Sequence, residues 1–208
     1  MTRAIALLAT VCTIFPVGLF AAEATAATVT PTSYGGRAAT ALFEHLDGCM
    51  QHRAFVYADE GLRREGHAGR TESPDAIVSF ALTNVCTGTQ ESFVDGVAHL
   101  APGDLTVRGD LGTASLRGTV LVDQRFPGAP DVRVTFDLEW HSTGEPLRST
   151  WNAISRSDDI DIGREIRVFR PAVAAGSFSH GGIDYTAAMP SVSAAILSSK
   201  VGDVAISR

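Results

Sequence analysis

From Val132 to His141 the chain alternates without a fault. Val132, Val134, Phe136, Leu138 and Trp140 fall on one side, and Arg133, Thr135, Asp137, Glu139 and His141 on the other. A period of two is the repeat of a pleated strand; wound into a helix, the same residues would scatter around the cylinder. The spacing therefore predicts a strand with its apolar side on a core and its polar side in water. Shorter stretches rich in β-branched and aromatic residues read the same way: 53–58, 76–82, 92–98, 104–107, 114–122, 149–154, 165–169, 176–179, 182–186 and 194–197. Gly118 marks an expected bend or bulge within its strand. The segment 38–46 has the alanines of a helix, but it runs into Asp47-Gly48 and is read as the first arm of a hairpin.

Turn-forming clusters separate these runs: Ser73-Pro74-Asp75, Ala101-Pro102-Gly103-Asp104, Phe126-Pro127-Gly128-Ala129-Pro130, Ser142-Thr143-Gly144-Glu145-Pro146 and His180-Gly181-Gly182. Many short strands with dense turns and no long helical pattern predict an all-β, antiparallel β-sandwich or flattened barrel in a single domain. Both tryptophans, Trp140 and Trp151, are expected in its core, since a platform for stacking sugars would need them exposed.

The first residues do not belong to that domain. Arg3 precedes an apolar run from Ala4 to Phe15, then the helix breakers Pro16 and Gly18, then Ala24-Thr25-Ala26. This is the order of a secretory signal peptide, with cleavage expected after Ala26. The expected organisation is a signal peptide over 1–26, a flexible leader over 27–36 and the β domain over 37–208. No later stretch is apolar enough to span a bilayer as a helix, so a secreted, extracellular location is expected.

Composition narrows the picture further. The chain has 208 residues, 45% of them apolar and 19% charged, which is enough to build a core and rules out a disordered chain. A formal net charge of −6 argues against a nucleic-acid partner. With Cys12 in the signal segment, Cys49 and Cys86 remain as an even pair in an oxidising compartment, and one structural disulfide is the favoured assignment over free thiols or a redox pair.

Four stretches, Phe43-Glu44-His45-Leu46-Asp47-Gly48-Cys49, Phe55-Val56-Tyr57-Ala58-Asp59-Glu60, Asn84-Val85-Cys86-Thr87 and Leu138-Glu139-Trp140-His141-Ser142-Thr143-Gly144, carry a resemblance. Over roughly the middle half of the chain it resembles a group of small secreted actinobacterial β-rich proteins of unassigned activity. The resemblance implies export, paired cysteines and a β-rich fold, and it carries over no catalytic residue. A chain with one lysine against sixteen arginines and abundant alanine also suits a GC-rich genome.

Candidate chemistry is sparse. There is no G-x-S-x-G elbow for a serine hydrolase. His45 and His52 flank Cys49, and His67 follows Glu65, yet no zinc-ligand spacing connects them. Asp137 and Glu139 stand about 7 Å apart on one strand face, a separation two glycosidase carboxyls can have, but outward acids also simply keep a sheet wet. For calcium, the one metal considered as a cofactor, the candidate ligands are Asp158, Asp159, Asp161 and Glu165, several oxygens in one loop; an acidic turn between two strands explains them as well. The mixed-charge stretch from Arg63 to Glu72 reads as a solvated loop. The expectation is an exported, non-enzymatic binding or envelope-associated module with an extracellular or cell-envelope ligand. A hydrolase with a site assembled from distant loops and a calcium-stabilised adhesion-like domain are the alternatives.

Overall fold

The structure, a computed structural model, describes residues 29–61, 63–65, 73–156, 160–184 and 192–207. The strands are β1 (Val29–Asp47), β2 (Met50–Asp59), β3 (Arg63–Glu65), β4 (Asp75–Asn84), β5 (Thr89–His99) and β6 (Leu105–Val107). They continue as β7 (Thr113–Gln124), β8 (Val132–Ser142), β9 (Leu147–Arg156), β10 (Ile160–His180), β11 (Ile183–Asp184) and β12 (Val192–Ser207). Every pairing among them is antiparallel. The hairpin expected at Asp47-Gly48 is there: Asp47 faces Met50, and Gly48, at a φ of 58°, takes the left-handed position that such a two-residue turn requires.

Following the pairings from β1 through β2, β4, β5, β7, β8, β10 and β12 leads back to β1, so eight strands close a ring. Closure removes the unpaired edges that an open sheet would expose. Of the two predicted architectures, the flattened barrel is the one the pairings describe. Its walls press together: Phe80 of β4 meets Phe178 of β10 edge-on at 4.9 Å, although these strands lie on opposite sides of the ring. Phe178 also stacks on Phe136, at 5.0 Å. Trp140 is fully buried and reaches across to donate its indole N–H to the carbonyl of Thr40, at 3.0 Å. In β8 the alternation is realised as read, with Val134, Phe136, Leu138 and Trp140 buried and Arg133, Thr135, Asp137 and His141 in water.

Cys49 and Cys86 form the expected disulfide, with 5.3 Å between their Cα atoms. It ties the β1–β2 turn to the β4–β5 turn at one end of the barrel, beside a bond from the Val85 N–H to the Cys49 carbonyl. On the chain-entropy model a loop of 37 residues makes the bridge worth about 4 kcal/mol.

At the other end the strands outrun the ring. β10 is one strand of 21 residues where the sequence suggested two, at 165–169 and 176–179. Its second half pairs with β8 and its first half with β9, which follows β8 along the same edge. Residues 160–169 of β10, 198–207 of β12 and 29–37 of β1 therefore extend beyond the barrel as a ribbon, with β9 on one edge and β3 on the other. Three expectations change here. From Val29 onward the leader expected over 27–36 is the first half of β1, held by β12. Arg63, Arg64 and Glu65 form β3 rather than a loop, while 66–72 lie outside the described residues. Gly118 has a φ of 146°, but the β7–β8 register passes through it unshifted, so it is not a bulge.

Candidate functional site

A cleft of about 630 Å³ opens where the ribbon leaves the barrel. Register explains its composition. Ala38 faces Ser198 on one side and Asp59 on the other; Asp59 faces Asp75, and Asp75 faces His99. One row of side chains thus crosses five strands on the outer face. One step along the ribbon, Arg167, Lys200 and Gly36 form the next row, and Phe169 opposes Ser198. Gly36, Ala38 and Ser198 carry little side chain, so the middle of the face sinks between two charged walls.

The acidic wall is held by its own hydrogen bonds. The Gly61 N–H donates to Asp59 Oδ1 at 2.8 Å, and His99 Nδ1 lies 2.7 Å from Asp75 Oδ1. Burial and the neighbouring Asp59 carboxylate push the Tyr57 phenol above its ordinary value, against the opposing pull of Arg167. Part of that rise comes from the hydrogen bond that the Tyr57 hydroxyl donates to Asp59, so Tyr57 braces the acidic wall of the cleft. Beneath the floor, Glu60 accepts from Arg37 Nε at 2.7 Å and from the Val107 N–H at 2.9 Å, stitching β6 to the base of the ribbon.

The basic wall continues into a second row made of Trp151, Glu165, Gly202 and Tyr34, each opposite the next. Trp151 is 58% exposed, which corrects its expected place in the core: β9 lies outside the barrel, where no opposite wall covers it. The Arg167 guanidinium sits 5.9 Å from the centre of its ring. Tyr34 reaches over Gly202 to donate to Glu165 Oε2 at 2.7 Å, and a Cβ on Gly202 would stand 2.5 Å from that ring. Arg167 Nε binds the other oxygen, Glu165 Oε1.

That arrangement bears on the calcium ligands. Burial pushes the Glu165 carboxyl up, but the bonds from Tyr34 and Arg167, with the charges of Arg167 and Lys200, outweigh it and hold the group below its ordinary value. Glu165 sits in the body of β10, its oxygens occupied by protein donors, rather than in the turn. Asp161 lies four residues up the same strand, about 13 Å away at the rise of an extended chain. Asp158 and Asp159 lie outside the described residues. Among the described residues no three His, Cys, Asp or Glu side chains converge as a metal site.

The remaining candidates fall elsewhere. Asp137 and Glu139 stand on the open face of β8, both bound by Arg117, with Arg117 Nε 3.1 Å from Asp137. His45 faces His52 across the β1–β2 hairpin, and His67 is outside the described residues. Reading the sequence alone passed over Tyr57, Asp59, Asp75, His99, Arg167 and Lys200 as site residues. The available signals were slight: charges at the ends of otherwise apolar strands, and the chain's single lysine.

No family model matches the chain, and no curated protein matches it. Among solved structures, the enduracididine biosynthesis enzyme MppR, complexed with the condensation product of pyruvate and imidazole 4-carboxaldehyde, aligns over 88% of this chain and 90% of its own. The identity is 12% and the TM-score 0.26, a likeness too loose to bear on fold or chemistry. No described helix is long and apolar enough to cross a membrane.

Proposed function

We propose that this is an exported binding module, without a catalytic centre, that holds a small polar ligand in the cleft between barrel and ribbon. One observation carries the reading: the barrel interior is filled with side chains, whereas at the ribbon's base Tyr57, Phe169, His99 and charged groups of both signs line a concavity open to solvent. Its volume lies within the span of roughly 300–1,000 Å³ common for small-ligand sites. The chemistry on offer is that of binding. The Tyr57 hydroxyl is held by Asp59, the Asp75–His99 pair is exposed to water, and Arg167 is spread over an aromatic face. The signal segment and the disulfide support delivery outside the cell.

The test is to titrate the purified protein with a panel of short peptides and of neutral and acidic oligosaccharides while following tryptophan fluorescence, since Trp151 contacts a cleft residue. Saturable binding weakened at least tenfold by Phe169→Ala, with the compound recovered unchanged, is the expected result. Turnover of a panel member, or no response to any of them, would sink the reading. Mass spectrometry of culture medium should find the N-terminus at Ala27.

A further inference from the structure

The cleft contains two pairings that a sheet ordinarily avoids. Arg167 lies directly opposite Lys200 across β10 and β12, and Asp59 lies directly opposite Asp75 across β2 and β4. Residues so placed have Cβ atoms only about 4.5–5.5 Å apart, and like charges there repel. Both pairs face the same concavity, one on each wall, with Gly36, Ala38 and Ser198 between them. Departures from local rules that coincide in one concavity are expected where a ligand supplies the missing partner.

The groups differ in how far the protein already satisfies them. Arg167 has Glu165 and the Trp151 ring, Asp59 has the Gly61 N–H and the Tyr57 hydroxyl, and Asp75 has His99. Lys200, partly shielded from solvent, makes no direct hydrogen bond among the described residues and feels only the Glu165 carboxylate, which Tyr34 and Arg167 already hold. An anion beside it would gain the attraction of Arg167 as well. On the other wall, two carboxylates side by side attract a cation.

We propose that the cleft binds a dipolar ligand of peptide type, its carboxylate received by Lys200 and Arg167 and its ammonium by Asp59 and Asp75. This rests on the cleft being the ligand site. Lys200 and Asp59 are two strands and one row apart, about 12 Å between Cα atoms at sheet spacings. The long lysine stem shortens the distance the ligand must cover. At about 3.3–3.6 Å per extended residue, two or three residues with free termini fill it. A single amino acid holds its charges too close together to touch both walls. Phe169 and Tyr57 line the same cleft and offer the chain an apolar surface. Capture of both termini selects for length and for uncapped ends while leaving the side chains largely unread.

Isothermal titration of the purified protein tests this with four probes: trialanine, N-acetyl-trialanine, trialanine amide and cellotriose. Trialanine should bind saturably, and either capped form at least tenfold more weakly. Lys200→Met should weaken trialanine at least tenfold and abolish the preference for a free carboxylate, while preserving the preference for a free ammonium. Asp59→Asn should do the reverse. Both variants should melt close to the parent, because the repulsion each relieves offsets the bond or attraction it loses; a merely structural charge would show a clear fall in melting temperature. Equal affinity for trialanine and its capped forms, or parental binding by Lys200→Met, overturns the proposal. Binding of cellotriose alone, weakened by Phe169→Ala, also overturns it but leaves the cleft as the ligand site. Silence from all four probes removes both.

Discussion

The two tryptophans occupy two kinds of sheet. Trp140, in β8, is sealed between barrel walls, its indole N–H satisfied by a carbonyl on the far side. Trp151, in β9, stands in water against an arginine. The two strands run one after the other along the same edge of β10, so pairing partners do not separate them. What differs is whether a second wall lies opposite. In the barrel, apolar residues are driven inward because burial there removes them from water on all sides. On the ribbon neither face is fully covered, and the residues that accumulate are aromatic, charged and linked to one another. Glu165, a carboxylate that is 7% exposed, is stabilised there by Tyr34 and Arg167 rather than by water.

The sharpest way to break this contrast is to truncate both tryptophans. Trp140→Ala should cost about 3–5 kcal/mol, through lost burial and a cavity that a closed ring cannot collapse. Trp151→Ala should stay within about 0.5 kcal/mol, as befits an exposed side chain. Urea denaturation reads both, and similar costs would mean that the ribbon is packed like the barrel.

Next in size is the disulfide. Replacing Cys49 and Cys86 together by serine should remove about 2–4 kcal/mol. Because the bridge joins two turns at the barrel end away from the ribbon, amide exchange should quicken first in the β1–β2 and β4–β5 hairpins. Faster exchange that begins in β9 and the first half of β10 would show that the two ends are not separable.

The same contrast explains what the sequence disclosed. β8 was readable because one of its faces is wholly dry, so each residue reports its side. The β1–β2 hairpin was readable because Asp47-Gly48 satisfies a turn whose geometry few residues tolerate. β10 reads as two pieces because Arg170-Pro171-Ala172-Val173-Ala174-Ala175, between them, holds a proline and three alanines, which carry no strand signal of their own. The exposure of Trp151 is not legible either, since size and apolarity say nothing about whether a wall exists opposite. The cleft is less legible still. Asp59, Asp75, His99 and Lys200 become neighbours through the register of five strands far apart in sequence, and register is written in no single segment. The cysteines were an exception, because their parity and compartment suggest pairing before any geometry is known.

The smallest effect compares a ribbon acid with a barrel acid as pH falls. The Glu165 carboxyl is held below its ordinary 4.5 in the folded protein. Above that value both folded and unfolded chains carry the group ionised, and its contribution to stability is complete. As pH falls below 4.5 the unfolded chain takes up the proton first, so the contribution drains away until the folded protein is protonated too. Glu165→Gln should lower stability by about 1–2 kcal/mol at neutral pH, in line with the loss of charge-assisted hydrogen bonds. It should also flatten the decline between neutral pH and pH 3. Asp137→Asn, on the open barrel wall with Arg117, should leave both nearly as they were, because an exposed pair is screened by water. Chemical denaturation of the three proteins across that range measures both slopes. An equal flattening by the two variants would show that ribbon and barrel surfaces hold their charges in the same way, and that the buried position of Glu165 confers nothing.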